Sequence, residues 1–273
     1  METITSTTNN LVKETVKLQQ KKYRTELFLL EGLKAVEEAI KSGIKIKNLF
    51  IDSSNDKLLE KFKNEKNIIL TNNAVLKKIS TTDSAPEIVA VAEQKKYSIE
   101  LNSASKILLL ENIKDAGNLG TIVRTAVAMD FDLIILYKET TDIYNPKCVR
   151  AAVGNLWKIP IVHISNFKEL ENKFSNFERI ATLPKHNDTI FLKEFSTKKP
   201  LLLMFGSEAE GLSEELISFA TKKITIEMNK NVESLNLSIS AGIAMYFLSR
   251  ISTPNEWCFS YPKIYNLNIN FKK

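Results

Sequence analysis

"KILLLENIKDAGNLGTIVRTAVAMDFDLIIL", residues 106–136, decides the fold class. It opens on an apolar run, "ILLL", and ends on another, "LIIL". Neither run alternates with polar residues, so both of its faces need cover, as in a buried parallel sheet. Between them lie a loop with two glycines, Gly117 and Gly120, and one helix's length of chain. Strand, helix and strand in that order make a right-handed crossover unit.

The same punctuation continues outward. Strand candidates fall at 107–111, 132–137, 159–163, 178–183, 200–205 and 223–227, with helical patterns between most of them. Residues 106–273 therefore predict an open, doubly wound α/β domain. Ahead of it, residues 11–93 alternate between helix and strand on a smaller scale. A helix is expected over Leu11–Lys22, a strand at "LFLLEG" and a helix at "GLKAVEEAIKSG", closed by Gly43. Strands follow at "IKNLFI", "NIIL" and "PEIVAVAEQ", with helices at "DKLLEKFKNEK" and "NAVLKKIS". The polar stretch 94–105 is expected to be a linker. Residues 1–10, "METITSTTNN", are expected to be disordered. The class is α/β, with a small front domain and a larger parallel-sheet domain.

Composition narrows the function. Of 273 residues 44% are hydrophobic and 26% charged, ordinary for a globular chain. Two cysteines far apart form neither a disulfide framework nor a zinc cluster, which fits a reducing compartment. No apolar signal core and no membrane-length run is present, so a cytoplasmic, soluble protein is expected. The net charge is +6. "KETVKLQQKKYR", 13–24, carries five basic residues against one acidic. A basic stripe beside a tyrosine suits RNA phosphates, although the same stretch also reads as a solvated helix face.

The chemistry-bearing loops lie where open parallel sheets bind ligands, past the carboxyl ends of strands. In the first, Asn118 is a candidate helix cap and Arg124 follows within two turns; taken alone, Arg124 also reads as a surface charge. No P-loop or GxGxxG spacing is present, which argues against a triphosphate or dinucleotide site. In the second, "LLLMFGSEAEGL" delivers Gly206, Glu208 and Glu210. Gly206 would let a ligand approach the backbone. A metal or glycosidase pair of Glu208 and Glu210 lacks a third oxygen ligand or a nearby histidine. The third, "NVESLNLSISAGIAMYFLSR", 231–250, has a polar first turn with Ser234 and Asn236 as caps, then a helix full of small residues.

In this order, "N-x-G-x-x-x-R", "GSEAEGL" and "SLNLS-x-x-AGIA" resemble the three motifs of the SpoU (TrmH-like) branch of the SPOUT RNA methyltransferases. "FLLEGLKAVEEAI" resembles the small substrate-binding domain that often precedes the catalytic one. The resemblance covers both domains. It implies methyl transfer from S-adenosylmethionine to a ribose 2′-hydroxyl of RNA, ribosomal RNA first and tRNA second, without a metal. It also implies a homodimer and a C-terminal trefoil knot, through which the 231–250 helix would thread; that would call for small side chains. By position, Asn118, Arg124, Glu208, Ser234 and Asn236 match the family's catalytic residues, and Gly206, Ile226 and Leu235 its cofactor contacts. Lys21, Lys22 and Arg24 are the RNA-binding candidates. "DAGN" departs from the proline that many relatives have there, and the tail after Trp257 matches nothing. A non-catalytic RNA binder on the same fold is the alternative, and an unrelated α/β nucleotide enzyme would bind no RNA.

Overall fold

The computed structural model describes residues 2–97 and 104–250. The front domain holds a five-stranded sheet in the order β1-β4-β3-β5-β2. Its elements are β1 (Glu2–Ile4), α1 (Asn10–Lys17), β2 (Leu27–Glu31), α2 (Leu33–Lys41), β3 (Ile46–Asp52), α3 (Asp56–Phe62), β4 (Ile68–Thr71), α4 (Asn73–Ile79) and β5 (Ile88–Glu93). β1, β4 and β3 run parallel, and β5 is antiparallel to both β3 and β2.

The expected disorder of residues 1–10 is corrected here. Glu2–Ile4 pairs with Ile69–Thr71, Ile4 is buried, and the Thr71 hydroxyl donates to the Ile4 carbonyl at 2.7 Å. A polar segment thus satisfies the free edge of β4, which would otherwise be an open template for another strand. The helix expected over Leu11–Lys22 is also shorter. It stops at Lys17, and a separate 3-10 turn covers Lys21–Tyr23.

The second domain is built on a seven-stranded, all-parallel sheet, β10-β12-β9-β11-β6-β7-β8. Its elements are β6 (Lys106–Glu111), α5 (Ala116–Ala128), β7 (Leu133–Tyr137), α6 (Pro146–Ala152), β8 (Ile161–Ile164), α7 (Phe167–Phe174), β9 (Glu178–Thr182), β10 (Ile190–Phe191), β11 (Leu201–Phe205), α8 (Glu214–Phe219), β12 (Lys222–Thr225) and α9 (Leu237–Ser249). The unbroken apolar runs serve two cores. Leu108, Leu110, Ile134, Leu203 and Phe205 face one, shared with α5, α6 and α9. Ile107, Leu109, Ile135, Leu202 and Met204 face the other, under α7 and α8. Alternate residues of a strand point to opposite faces, so a strand covered on both sides has no polar positions to spare.

From β6 the chain winds outward through β7 and β8, then returns to build β9 and β11 on the other side. The switch lies between the neighbours β6 and β11, whose following helices α5 and α8 pack on opposite faces of the sheet; open parallel sheets bind ligands at such a point. Among the described residues no helix is long and apolar enough to cross a membrane.

The two domains are docked face to face. Phe28 of β2 packs on Tyr144, with ring centroids 4.6 Å apart, and on Trp157 at 6.0 Å. Arg24 Nε donates to Asp142 at 2.8 Å, and Arg150 pairs with Glu31. Lys158 reaches Glu38 at 2.7 Å. The expected linker begins docked as well, since Lys95 exchanges backbone hydrogen bonds with the Tyr144 hydroxyl in both directions, at 2.9 Å each.

Candidate active site

The first loop leaves β6 at Glu111 and enters α5 at Ala116. Asn118 does not cap this helix, contrary to the sequence reading. Asp115 does, accepting the Asn118 backbone N–H at 2.7 Å. An acidic cap suits the positive end of the helix dipole. The Lys147 ammonium and that same backbone N–H hold the Asp115 carboxyl below the ordinary carboxylate value, against a smaller opposing effect of burial. The consequence matters for chemistry. With the capping role filled by Asp115, the Asn118 side chain is free to point away from its own helix.

It meets the other two loops. Asn118 Nδ2 donates to Glu208 Oε1 at 3.0 Å, and Asn236 Nδ2 donates to Asn118 Oδ1 at 3.1 Å. Asn236 caps α9, its Oδ1 accepting the Ser238 N–H at 2.9 Å and the Ser238 hydroxyl at 2.6 Å. These bonds fix the direction of every amide. The cap requires the Asn236 oxygen to face α9, so its amino group faces Asn118. That leaves the Asn118 amino group for Glu208, which must then accept. Partial burial works to raise the Glu208 carboxyl. The Asn118 amide and the backbone N–H groups of its own loop, Lys114 and Asp115 outweigh it, leaving the carboxyl below its ordinary value. The chain Asn236–Asn118–Glu208 therefore ends in a carboxylate.

The second loop is closed on itself. Ser207 and Gly211 exchange backbone hydrogen bonds, each 3.1 Å. A Cβ added at Gly206 would lie 1.9 Å from the Gly211 carbonyl carbon and 2.1 Å from the Leu212 nitrogen. The expectation that Gly206 leaves room for a ligand is thus revised in part: the space beside its Cα is filled by the loop's own returning backbone. Gly211 has φ +68, the left-handed region that glycine enters freely.

The remaining candidates fall into place unevenly. Ser234 is exposed, and its hydroxyl makes no hydrogen bond among the described residues. Ile226 and Leu235 are half-buried, and Ile226 packs at the edge of the core. The segments carrying them lack strand or helix partners, so backbone N–H and C=O groups stand beside apolar side chains. That donor set fits a nucleoside, which needs an apolar slot and a few backbone partners for its edge. Arg124 is exposed on α5, with no ion pair or hydrogen bond among the described residues.

Among the RNA candidates, Lys21 and Lys22 are exposed, and the Lys22 ammonium lies 4.9 Å from the centre of the exposed Tyr23 ring. Arg24 is corrected out of this set. Its side chain is 2% exposed and engaged with Asp142 and with the Leu18 carbonyl at 2.9 Å. Of the donors of its guanidinium, Nε serves the domain junction and Nη1 ties it to its own domain. Sequence reading missed Asp115, Lys147 and the Lys114 backbone N–H, which reaches Glu208 Oε2 at 3.4 Å. An acidic residue three positions ahead of Asn118 was the available signal for the cap.

Comparison with known proteins gives the family. The chain is similar to an uncharacterized tRNA/rRNA methyltransferase of Synechocystis, at 30% identity over 95% of this chain and 96% of that one. It is 28% identical to the Bacillus subtilis 23S rRNA (guanosine(2553)-2′-O)-methyltransferase RlmP, over 91% of this chain and 99% of that one. It superposes on the crystal structure of the AdoMet-bound rRNA methyltransferase from Sinorhizobium meliloti with a TM-score of 0.81 and 31% identity, covering 91% of this chain and 97% of that one. Residues 9–90 match the MRM3-like substrate binding domain. Residues 105–246, more than half of the chain, match the SpoU rRNA methylase family, and the chain belongs to that family.

Proposed function

We propose that the Asn118, Glu208 and Asn236 loops form the methyl-transfer centre and that ribosomal RNA is the substrate, with tRNA second. As a SpoU-family enzyme the protein is an S-adenosylmethionine-dependent RNA 2′-O-ribose methyltransferase. The single observation that carries the placement is the hydrogen-bonded chain that joins all three loops at the β6/β11 switch point.

S-adenosylmethionine supplies a methyl group already electrophilic on a sulfonium. The protein's part is to hold the two reactants in line and to manage the ribose proton. Gly206, Ile226 and Leu235 line the cofactor's side, offering backbone groups between apolar side chains. Ser234, free of partners, takes a polar group of the ligand. Glu208, ionised and fixed by Asn118, sets a negative charge where a cation is accommodated. The Arg124 guanidinium offers only donors and no acceptor. Its role in this reading is to hold the neighbouring phosphate and to stabilise the oxygen as its proton leaves.

The front domain recruits RNA through Lys21 and Lys22. A groove of about 1020 Å³ along the domain junction, lined by Lys21, Lys114, His163 and Ser165 among others, supports this path to the site. Two further features belong to the same reading. Ile239, Ile243 and Tyr246 stand on one face of α9 and are 53%, 41% and 50% exposed. Such a stripe fits a homodimer contact, because burying it offsets the cost of leaving large apolar side chains in water. α9 also packs on α5, and its Ala241 and Ala244 are both fully buried in the shared core, in keeping with the C-terminal trefoil knot of this reading. In this reading the protein works in the cytoplasm.

The test is methyl transfer from labelled S-adenosylmethionine to ribosomal RNA, with calorimetry of cofactor binding. Arg124→Ala is expected to abolish transfer with cofactor affinity retained. Wild-type protein that binds RNA without cofactor would establish the non-catalytic alternative instead.

A further inference from the structure

Asn118 and Glu208 sit on loops that leave two neighbouring strands, β6 and β11. The last sheet pairing between those strands is Leu110 with Phe205, so beyond it the loops are free to diverge. Besides Asn118, the Glu111 side chain also crosses the gap. Glu111 ends β6, and its side chain is 3% exposed. Its Oε1 accepts the Lys138 ammonium at 2.7 Å, and its Oε2 accepts the Ser213 backbone N–H at 2.7 Å. Ser213 is the residue at which the 206–212 loop re-enters helix, at the start of α8. Lys138 also donates to the Ser213 hydroxyl at 3.2 Å.

The backbone around this carboxylate is held in unusual conformations. Asn112, directly after Glu111, has φ +57, and Lys138 has φ +56. Residues with a Cβ enter the left-handed region only where their surroundings over-determine it. From Asn112 the chain runs within two residues to Lys114, whose N–H touches Glu208. The 206–212 loop is thus tied at its base by Ser207 and Gly211, at its far end by Glu111, and at its tip by Asn118.

We propose that Glu111, clamped by Lys138, is a positioning residue that sets the separation of the Asn118 and Glu208 loops. This rests on the functional reading above. An ion pair with one buried member, Glu111, adds little net stability, but the buried carboxylate is demanding in geometry, and that is what registration of two loops requires. Glu111 touches neither reactant and acts through the place it gives to Glu208.

A double-mutant cycle on turnover tests this, with ribosomal RNA and saturating S-adenosylmethionine. Misplacing reacting groups by about 1 Å costs on the order of 100-fold in rate. Glu111→Gln is therefore expected to lower kcat at least about tenfold, with the melting temperature little changed. Glu208→Gln should lower kcat by a clearly smaller factor in the Glu111→Gln background than in wild type. Lys138→Gln, at a side chain 40% exposed, keeps a hydrogen-bond donor for the buried carboxylate; it should show the same coupling and serves if the Glu111 variant does not fold. An equal Glu208→Gln factor in both backgrounds, or full activity of Glu111→Gln, overturns the proposal and leaves the pair a stabilising contact only. A wild type that transfers no methyl group overturns the functional reading instead, and is seen before any variant is made.

Discussion

Replacing Gly206 by Ala tests whether the second loop is held by its own backbone. The added Cβ would meet three backbone atoms, the Gly211 carbon at 1.9 Å, its oxygen at 2.0 Å and the Leu212 nitrogen at 2.1 Å. Ordinary contact begins near 3.4 Å, so the two sides of the loop must separate by about 1.5 Å. No flexible side chain is present to yield. Overpacking of this kind costs about 1–3 kcal/mol. Loss of the two Ser207–Gly211 backbone bonds adds roughly 1 kcal/mol each. A total near 4 kcal/mol lowers the melting temperature by roughly 10 °C for a chain of this size. The same shift carries Glu208 out of hydrogen-bond range of Asn118, so cofactor affinity and turnover fall together. Gly242→Ala in α9 is the internal control. The nearest atom to its Cβ would be Thr125 Cγ2 at 3.9 Å, an ordinary contact, and alanine gains about 1 kcal/mol of helix propensity. Thermal denaturation and calorimetry with S-adenosylmethionine read both variants. A Gly206→Ala protein that melts within about 2 °C of wild type and binds the cofactor normally refutes the reasoning.

Lys21→Ala with Lys22→Ala is expected to weaken RNA binding and to reduce the log–log salt slope by up to about 2, measured by filter binding across ionic strengths, while Arg24→Ala should act on stability because it strands Asp142 at the junction. The proposed homodimer would have a mass of twice 31.0 kDa, and Ile243→Asp on the exposed face of α9 should convert it to a monomer in light scattering; a wild type of 31.0 kDa refutes the dimer, and a variant of unchanged dimeric mass removes that face from the interface. Asp115→Ala should cost about 1 kcal/mol at pH 7 as a lost helix cap. The Asp115 carboxyl is depressed below its ordinary 3.8, so its contribution is present above that value and disappears as pH falls through the lower folded one. The wild type and the variant should therefore converge in stability below about pH 4, and a constant gap down to pH 2 would count against the cap.

The parallel sheet was legible because both faces are covered. "ILLL" and "LLLMF" have no polar positions, and that pattern has few other solutions. The candidate site was legible from the residues as three loops, and only the family resemblance implied that they form one place, since it is the fold that brings residues 118, 208 and 236 together. Asn118 shows why. A side chain's direction depends on who caps its helix, and Asp115 and Asn118 are both good caps by residue type. Arg24 was misread for a related reason. A basic run looks uniform in sequence, yet the break after Lys17 and the turn at Lys21–Tyr23 rotate Arg24 inward, to an aspartate 118 positions away. The edge role of Glu2–Ile4 was hidden by its polarity, because β4 offers backbone partners rather than an apolar face.

The docking of the two domains bears on how RNA meets the site. A tethered RNA-binding module raises the local concentration of substrate but leaves its orientation free. Here the junction is built differently. Phe28 is fully buried against Tyr144 and Trp157, and Glu31 and Arg24 are buried charges whose partners, Arg150 and Asp142, come from the other domain. A Cβ at Gly154 would lie 2.5 Å from Glu38 Cβ, so the turn after α6 sits directly against α2. Buried charges tolerate only their paired geometry, since rotation of one domain would leave both unpaired. The front domain is therefore fixed relative to α6, and α6 packs along α5, the helix that carries Asn118 and Arg124. Phosphates held at Lys21 and Lys22 would lie at a set distance from that helix. On this construction the choice of nucleotide follows from the distance between the RNA contact and Arg124, so shortening or loosening the Arg24–Asp142 and Glu31–Arg150 pairs should blur which ribose is methylated before it abolishes methylation.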